Sequence, residues 1–317
     1  MRPNLLVICG PTASGKTALA VALAQRLNGE VVSADSMQVY RHMDIGSAKI
    51  TPEEMQGVTH YMIDELEPDE EFHVVRFVTM AKEYLKEIYA DGKIPIIAGG
   101  TGFYIQALLY DIDFTEQQCD ETYRRQLEDL AREHGAEYLH GILREVDPAS
   151  AEAIHANNIK RVIRALEFYH LSGKKISEHN ETERQKQSPY NFAYFVLTDE
   201  RAKLYERIDR RVDAMIEAGL VEEVKKLKSM GCSREMVSMQ GLGYKEILAY
   251  LDGGCTLEEA VYIIKRETRH FAKRQLTWFK RERDVIWLDK QAFGYDDAAI
   301  LTDMISILEE KEIISHE

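Results

Sequence analysis

The sequence is poor in cysteine and has no long apolar run. Its four cysteines form no CxxC pair and do not have metal-ligand spacing; they are Cys9, Cys119, Cys232 and Cys255. This pattern argues against a disulfide framework or a structural zinc site and favours the reducing cytoplasm. No apolar stretch is long enough to span a membrane, and the run Leu5–Cys9 is too short for a signal peptide. We therefore expect a cytoplasmic protein with no membrane partner.

The sequence also lacks positive charge overall. Its net charge is −14, which at first argues against a nucleic-acid partner. The negative charge is concentrated in residues 50–91 and 289–317, whereas residues 265–283 carry eight lysines and arginines against two glutamates. A basic stripe on an acidic protein is compatible with a polyanionic partner. Taken alone, such a stripe is slightly more typical of a solvated helix face, so the charge pattern leaves both interpretations open.

Strand and helix patterns alternate in the first third of the chain. Apolar runs at Leu5–Cys9, Glu30–Ser33 and Ile94–Ala98 predict strands, and helical periodicity appears at Lys16–Leu27 and Val74–Tyr89. The hydrophobic fraction of 45% is sufficient for a buried core. Strands that alternate with helices at this spacing predict an α/β fold with a mostly parallel sheet flanked by helices.

The pattern becomes helical after about residue 115. The clearest helices there are Asp120–His134 and Asn158–Leu171, and a strand-like run follows at Phe192–Leu197. We interpret residues 116–196 as an all-helical insertion domain, which divides the catalytic core into residues 1–115 and 197–317.

The core resumes with helical patterns at Ala202–Ala218 and Thr256–Glu282. Thr256 and Glu259 have the spacing of a capping box at the start of the second helix. A last strand is predicted at Val285–Leu288, followed by an acidic helix.

A phosphate-binding motif, G-x-x-x-x-G-K-[ST], lies between the first strand and the first helix. Its glycines let consecutive backbone amides point at phosphate oxygens, and the helix N-terminus adds partial positive charge. Lys16 supplies a full charge, and the Thr17 hydroxyl is placed to hold Mg²⁺. The predicted diphosphate-binding residues are Gly10, Pro11, Thr12, Ala13, Ser14, Gly15, Lys16 and Thr17.

Two further polar residues end predicted core strands. Asp35 closes an early apolar strand, and Thr101 follows the glycines Gly99 and Gly100. Because the carboxyl ends of parallel strands line the ligand crevice, both are expected near the phosphate. From the residues alone, Asp35 could be a metal ligand, a general base, a hydroxyl-binding carboxylate or a turn residue. The Thr101 hydroxyl and the backbone amides of the neighbouring glycines could reach a second phosphate, or this segment could be an ordinary turn.

Five blocks in order over nearly the whole chain resemble the tRNA dimethylallyltransferases of bacterial type, also called tRNA isopentenyltransferases. The blocks are GPTASGKT at 10–17, SADSMQVYRHMDIGSAK at 33–49, PIIAGGTGFY at 95–104, QGLGYKEI at 240–247 and KRQLTWF at 273–279. The resemblance implies a P-loop NTPase-like core with an inserted helical domain. It also implies transfer of a dimethylallyl group from dimethylallyl diphosphate to N6 of the adenine at tRNA position 37, with diphosphate as leaving group.

The resemblance implies roles for individual residues. The implied catalytic residues are Asp35 as general base, with Thr101, Lys16 and Arg211. The implied tRNA contacts are Asp35, Ser36, Met37, Gln38, Thr101, Arg124, Lys160, Arg161, Arg164, Gln240, Gly241, Leu242, Gly243, Tyr244 and Lys245. Mg²⁺ is the implied cofactor, with Thr17 as its protein ligand. The implied partner is the anticodon stem-loop of tRNA, bound by a monomer.

The chain departs from some relatives in two places. No cysteine follows Cys255, so the C-terminal zinc finger of other members is not expected. Gln240 stands where other relatives have arginine, which leaves its contact open.

Two other functions are compatible with the phosphate-binding motif. A small-molecule or nucleotide kinase would use the same loop, Mg²⁺ and aspartate on ATP. A non-catalytic nucleotide switch would bind nucleotide without turnover, although the chain has no guanine-reading NKxD motif.

Overall fold

The structure, a computed structural model, describes residues 2–114 and 120–315. It divides into a core unit, residues 1–108 with 190–317, and a helical unit, residues 109–189. The strands are β1 Asn4–Cys9, β2 Gly29–Ala34, β3 His60–Tyr61, β4 Ile94–Gly99, β5 Asn191–Thr198 and β6 Val285–Asp289. The helices of the core unit are α1 Lys16–Leu27, α2 Pro52–Met55, α3 Val74–Ala90, α4 Gly102–Leu109, α10 Arg201–Glu217, α11 Leu220–Ser229, α12 Tyr244–Leu251, α13 Leu257–Phe279 and α14 Asp297–Glu310. Those of the helical unit are α5 Glu121–His134, α6 Ala136–Val146, α7 Pro148–Ala153, α8 Ile159–Ser172 and α9 Ile176–Gln185.

The core unit is built on one parallel sheet with strand order β3-β2-β4-β1-β5-β6. Residues Leu5–Cys9 of β1 are fully buried, because the strand lies inside the sheet between β4 and β5. Full burial of a side chain such as Leu6 contributes about 1.5–3 kcal/mol to stability. Burial on both faces explains why these strands are continuous apolar runs rather than alternating ones.

The helical unit packs α5, α6 and α8 around its own apolar cluster, which includes Leu139, Leu143 and Val162. The buried carboxylate of Asp147 accepts hydrogen bonds from the amide and hydroxyl of Ser150 and from the amide and hydroxyl of Ser177, at 2.7–3.1 Å. Asp147 therefore caps α7 and fixes the start of α9. None of the described helices combines the length and apolarity needed to cross a membrane.

The predicted α/β fold is confirmed, and most element boundaries differ by one or two residues. Helix α1 has the predicted bounds, and Thr256 and Glu259 form the predicted capping box of α13, which ends at Phe279 rather than Glu282. The short strand β3 was not predicted, because a two-residue strand has no periodicity to recognise.

The predicted limits of the insertion need correction. The helical unit ends at Pro189, and the following strand β5 pairs along its length with β1 in the core sheet. The expected boundary at residue 196 therefore falls inside a core strand. A strand-like run does not reveal which sheet it joins, and only the pairing with β1 decided this. The boundary expected at residue 116, together with Cys119, lies outside the described residues.

Candidate active site

The phosphate-binding loop connects the end of β1 to the start of α1. Gly15 caps α1 in a left-handed conformation with φ of 90°, and no side chain caps the helix. The first amides of α1 thus remain available to an anion. A Cβ atom on Gly10 would lie 2.8 Å from the Ser14 hydroxyl oxygen. That buried oxygen has no hydrogen-bond partner among the described residues, so the loop contains an unsatisfied polar atom of the kind that a ligand can complete.

Arg207 of α10 supports the outer side of the loop. Its Nε donates a hydrogen bond of 2.9 Å to the carbonyl oxygen of Ala13, a non-glycine residue in the left-handed region with φ of 62°. The guanidinium also contacts the fully buried side chain of Asp199 at 2.5 Å, and Asp199 accepts a further bond from Tyr295. This network holds Ala13 in a conformation that alanine disfavours.

A pocket lies beside the loop on the core unit. Among the residues predicted for the site, Thr12, Lys16, Thr17, Asp35, Gln38 and Arg211 line it. Apolar side chains complete part of the wall, notably Val31, Ile50 and Ile63. The pocket also contains residues that the sequence did not single out, namely Glu54, His60, Phe271 and Gln275. The arrangement places cations, one turn aspartate and an apolar wall around a single space.

The two cations of the pocket act on each other and on Asp35. Burial lowers the pKa of Lys16, while Asp35 opposes and Arg211 reinforces that shift. Burial likewise lowers the pKa of Arg211, opposed by Glu54 and Asp35. Lys16 is partly exposed and Arg211 is exposed, and neither forms an ion pair with a described residue. Their charge is therefore available to an anion entering the pocket.

Asp35 follows β2 and forms a local turn. Its Oδ1 accepts a hydrogen bond of 2.9 Å from the Met37 amide. No described group bonds its other carboxylate oxygen. The turn role and the base role left open by the sequence are thus compatible, because each uses a different oxygen.

The turn after β4 uses two of its backbone amides within the protein. The Thr101 amide donates to the carbonyl oxygen of Ala34 at 3.3 Å, and the Gly102 amide donates to that of Gly100 at 3.2 Å. These two amides are therefore engaged within the protein, and for the Gly102 amide the ordinary-turn alternative left open by the sequence is the one that the structure favours. Thr101 itself is partly exposed and does not line the pocket that contains Lys16.

Residues 33–49 and 240–247, the two blocks that contain most of the tRNA contacts expected on the core unit, lie against each other. A Cβ on Gly241 would lie 2.6 Å from the Met37 methyl carbon, and one on Gly46 would lie 2.5 Å from the Tyr244 ring. Glu223, which the sequence did not single out, accepts hydrogen bonds from three successive amides of residues 44–46 at 2.8–3.1 Å and from the Tyr244 hydroxyl at 2.8 Å. Glu223 thus holds the two blocks together.

Gln240 and Lys245 line a separate depression rather than the pocket of Lys16. Its other walls come from Arg234, Glu246, Ala249, Cys255, Ala260 and Ile263. The two polar residues of the predicted tRNA-binding turn therefore face a different part of the core unit from the catalytic candidates.

The basic candidates on the helical unit fall into two groups. Lys160, Arg161 and Arg164 are exposed on α8. Arg124 instead forms a bidentate pair with the buried carboxylate of Glu167, with both hydrogen bonds at 2.8 Å. Arg124 therefore neutralises a buried carboxylate within the helical unit, in addition to any contact with tRNA.

The basic stretch 265–283, of which residues 265–279 lie on α13, is partly neutralised by α10. Lys265 contacts Asp213 at 2.6 Å, and Arg269 contacts Asp209 at 2.7 Å. The stretch 265–283 therefore presents less positive charge to a partner than its net charge indicates.

The parallel sheet flanked by helices, with the glycine-rich loop at residues 10–17 and a strand-end aspartate, defines an α/β protein with a P-loop-like fold. The model of a protein family described as IPP transferase matches residues 38–282. The chain is 65% identical over 99% of its length to a tRNA dimethylallyltransferase of Lachnoclostridium phytofermentans, all of which is covered. The chain belongs to this family of prenyltransferases.

Solved structures agree with this assignment. A full-length tRNA isopentenylpyrophosphate transferase from Bacillus halodurans is 46% identical, with full coverage of both chains and a TM-score of 0.74. A eukaryotic dimethylallyltransferase acting on tRNA is 30% identical over 99% of this chain and 81% of that one, with a TM-score of 0.82.

Proposed function

We propose that this protein transfers a dimethylallyl group from dimethylallyl diphosphate to N6 of the adenine at position 37 of tRNA and releases diphosphate. Membership of the family supports the reaction class. The observation that carries the finer proposal is the pocket in which Lys16, Arg211 and Asp35 lie beside an apolar wall. A prenyl diphosphate needs both surfaces, because one end is polyanionic and the other is a branched hydrocarbon.

The loop and its cations stabilise the leaving group. As the C–O bond of the donor breaks, negative charge grows on the diphosphate. Preorganised donors aimed at that charge lower the barrier, and here they are the first amides of α1, Lys16 and Arg211. The apolar side chains Val31, Ile50 and Ile63 suit the five-carbon group.

Asp35 acts as the general base. The adenine amine is a weak nucleophile, because its lone pair is delocalised into the ring. The N6–C bond forms as the donor C–O bond breaks, and the proton leaves N6 for the free oxygen of Asp35. The hydrogen bond from Met37 holds that carboxylate in position. The adenine must leave its stack to reach the pocket, which costs a few kcal/mol.

Mg²⁺ fits the residues present only with the help of the substrate. No group of three or more His, Cys, Asp or Glu side chains in residues 2–114 and 120–315 could hold a metal. Mg²⁺ is commonly bound by one or two protein groups together with phosphate oxygens and water. Thr17, exposed in the first turn of α1, would be the protein ligand. When bound, the ion would neutralise charge on the diphosphate.

Transfer RNA binding is assigned to two sets of residues. On the core unit they are Asp35, Ser36, Met37 and Gln38, Thr101, and Gln240 to Lys245. On the helical unit they are Lys160, Arg161 and Arg164, with Arg124 oriented by Glu167. We further propose that the protein acts as a cytoplasmic monomer, which sedimentation with and without tRNA would check.

The test is incubation of the protein with unmodified tRNA, Mg²⁺ and labelled dimethylallyl diphosphate, without ATP. Label should appear in tRNA and map to N6 of the adenine at position 37. Label at another position would overturn the site assignment. A requirement for ATP would favour a kinase, which family membership does not support.

A further inference from the structure

Gln275 lies on α13 and connects two loops of the pocket. Its side chain is 6% exposed. The Oε1 atom accepts a hydrogen bond of 2.9 Å from the Thr12 amide in the phosphate-binding loop. The Nε2 atom donates one of 2.9 Å to the carbonyl oxygen of Gly100, in the turn after β4. One amide group therefore spans the ends of two neighbouring strands, β1 and β4.

Both ends of this contact require an amide. The Thr12 group is a donor and the Gly100 group is an acceptor, so a side chain must offer one acceptor and one donor. A methionine has similar length but neither group, and a glutamate lacks the donor. Loss of Gln275 would thus leave two backbone groups unpaired in a poorly solvated place, which is unfavourable.

The close approach of Gln275 to Gly100 also restricts the residue type at position 100. A Cβ atom there would lie 2.2 Å from the Gln275 Nε2 atom, whereas the nearest backbone atom outside the turn, the Gly10 oxygen, would lie at 3.6 Å. A glycine at residue 100 therefore leaves the space that the Gln275 side-chain amide occupies. Gly100 does not have a positive φ, so an alanine there meets no backbone strain.

We propose that Gln275 is a positioning residue that fixes the spacing between the diphosphate-binding loop and the turn carrying Thr101. It acts through the backbone of both loops and not through the reacting atoms. This inference rests on the proposed prenyl transfer, because it assumes that the loop Gly10–Thr17 binds the donor diphosphate.

The first test replaces Gln275 by methionine. The KM for dimethylallyl diphosphate should rise about tenfold and kcat should fall by up to about a hundredfold, as expected when a catalytic loop moves by about 1 Å. The tRNA dissociation constant should rise much less than the donor KM, because Thr101 is only one of the proposed tRNA contacts. The control is Gln291→Met, which makes the same chemical change at an exposed glutamine outside the pocket, and it should behave like the unmodified protein.

The second test uses Gly100→Ala. The new methyl group would displace the Gln275 amide, so this variant should reproduce the donor KM and kcat of Gln275→Ala. The double variant Gly100→Ala with Gln275→Ala should be no worse than either single variant, because both changes break one shared contact. Thermal unfolding of all three variants reports whether any has failed to fold.

Two results would overturn the inference. One is a Gly100→Ala variant with unchanged donor KM and kcat when Gln275→Ala alters both. Gln275 would then act without the Gly100 contact. The other is an equal rise in the constants for donor and tRNA. Absence of label transfer by the unmodified protein would instead reject the proposed function. Direct titration of inorganic diphosphate into the Gln275→Met variant tests the positioning role even in that case.

Discussion

Cations are held in opposite ways in the pocket of the core unit and on the helical unit. In the pocket, burial lowers the pKa of Lys16, which is only partly exposed and has no ion-pair partner among the described residues. On the helical unit, Arg124 is bound to Glu167, while Lys160 and Arg161 are exposed to solvent. Enclosing an unpaired cation is costly, whereas an exposed cation costs little.

The comparison shows which positive charges are informative. A partly enclosed cation without an ion-pair partner, such as Lys16, is stabilised by a compensating anion, and an entering diphosphate would supply one. An exposed lysine is compatible with solvent alone. The basic residues of the helical unit suggest tRNA binding only because they lie together on α8. Lys16 suggests anion binding because leaving its partly enclosed charge unpaired is unfavourable.

The largest expected effect is at Asp35, the one carboxylate assigned to catalysis. Asp35→Asn keeps an oxygen to accept the Met37 amide but removes the base, so kcat should fall by about 10²–10⁴-fold. Single-turnover label transfer measures the chemical step, and filter binding should show a far smaller loss of tRNA affinity, because Asp35 is only one of the proposed contacts. Full activity in this variant would exclude Asp35 as the base.

Lys16 should come next. Lys16→Met removes the charge that balances the leaving diphosphate, and kcat/KM for the donor should fall by about 10²–10³-fold. A matched change at exposed Lys280 of the core unit, outside the pocket, should have no effect on donor kinetics. If the two variants behaved alike, the contrast between enclosed and exposed cations would fail.

The exposed basic face of α8 should have a smaller effect, confined to tRNA. With Lys160→Ala and Arg161→Ala combined, tRNA affinity should fall about tenfold at moderate salt, and the slope of log affinity against log salt should decrease by about 1–2. The donor KM should not change. An unaltered salt dependence would identify these residues as ordinary surface.

Arg124 should affect stability more than binding. Arg124→Ala removes both hydrogen bonds to the buried Glu167 carboxylate and should lower the free energy of unfolding by about 1–3 kcal/mol. Arg125→Ala, which breaks a pair between two exposed side chains, is the control and should be nearly neutral. Denaturant unfolding measures both. A loss of tRNA affinity larger than that of the α8 double variant would make Arg124 primarily a tRNA contact.

Much of the fold was predictable because its signals are local. The phosphate-binding loop has a fixed spacing of glycines and lysine, and α1 and α13 have the predicted starts. The apolar runs of β1 and β4 also follow from burial on both faces. The strand β5 was recognised as a strand, yet it was assigned to the wrong domain. Its sheet partner, β1, lies nearly two hundred residues earlier in the chain.

Residues of the candidate site could be predicted where a sequence motif or a strand end specifies their position. Lys16, Asp35 and Arg211 line one pocket, and the first two were apparent from motif or strand position alone. The engagement of the Thr101 and Gly102 amides was not predictable, because it depends on the path of the turn beside Ala34. Gln275 and Glu223 were missed, although Gln275 lies within one of the blocks that carry the resemblance.

The sequence by itself determined the chemistry of the loop, the alternation of strands and helices, and the family. Those properties depend on residue types at short, fixed separations. The tertiary structure decided how that loop is held, through Arg207 at Ala13 and Gln275 at Thr12. Their partners lie 194 and 263 residues away in the chain, and no local pattern encodes a hydrogen bond that forms only after the sheet and its helices have packed.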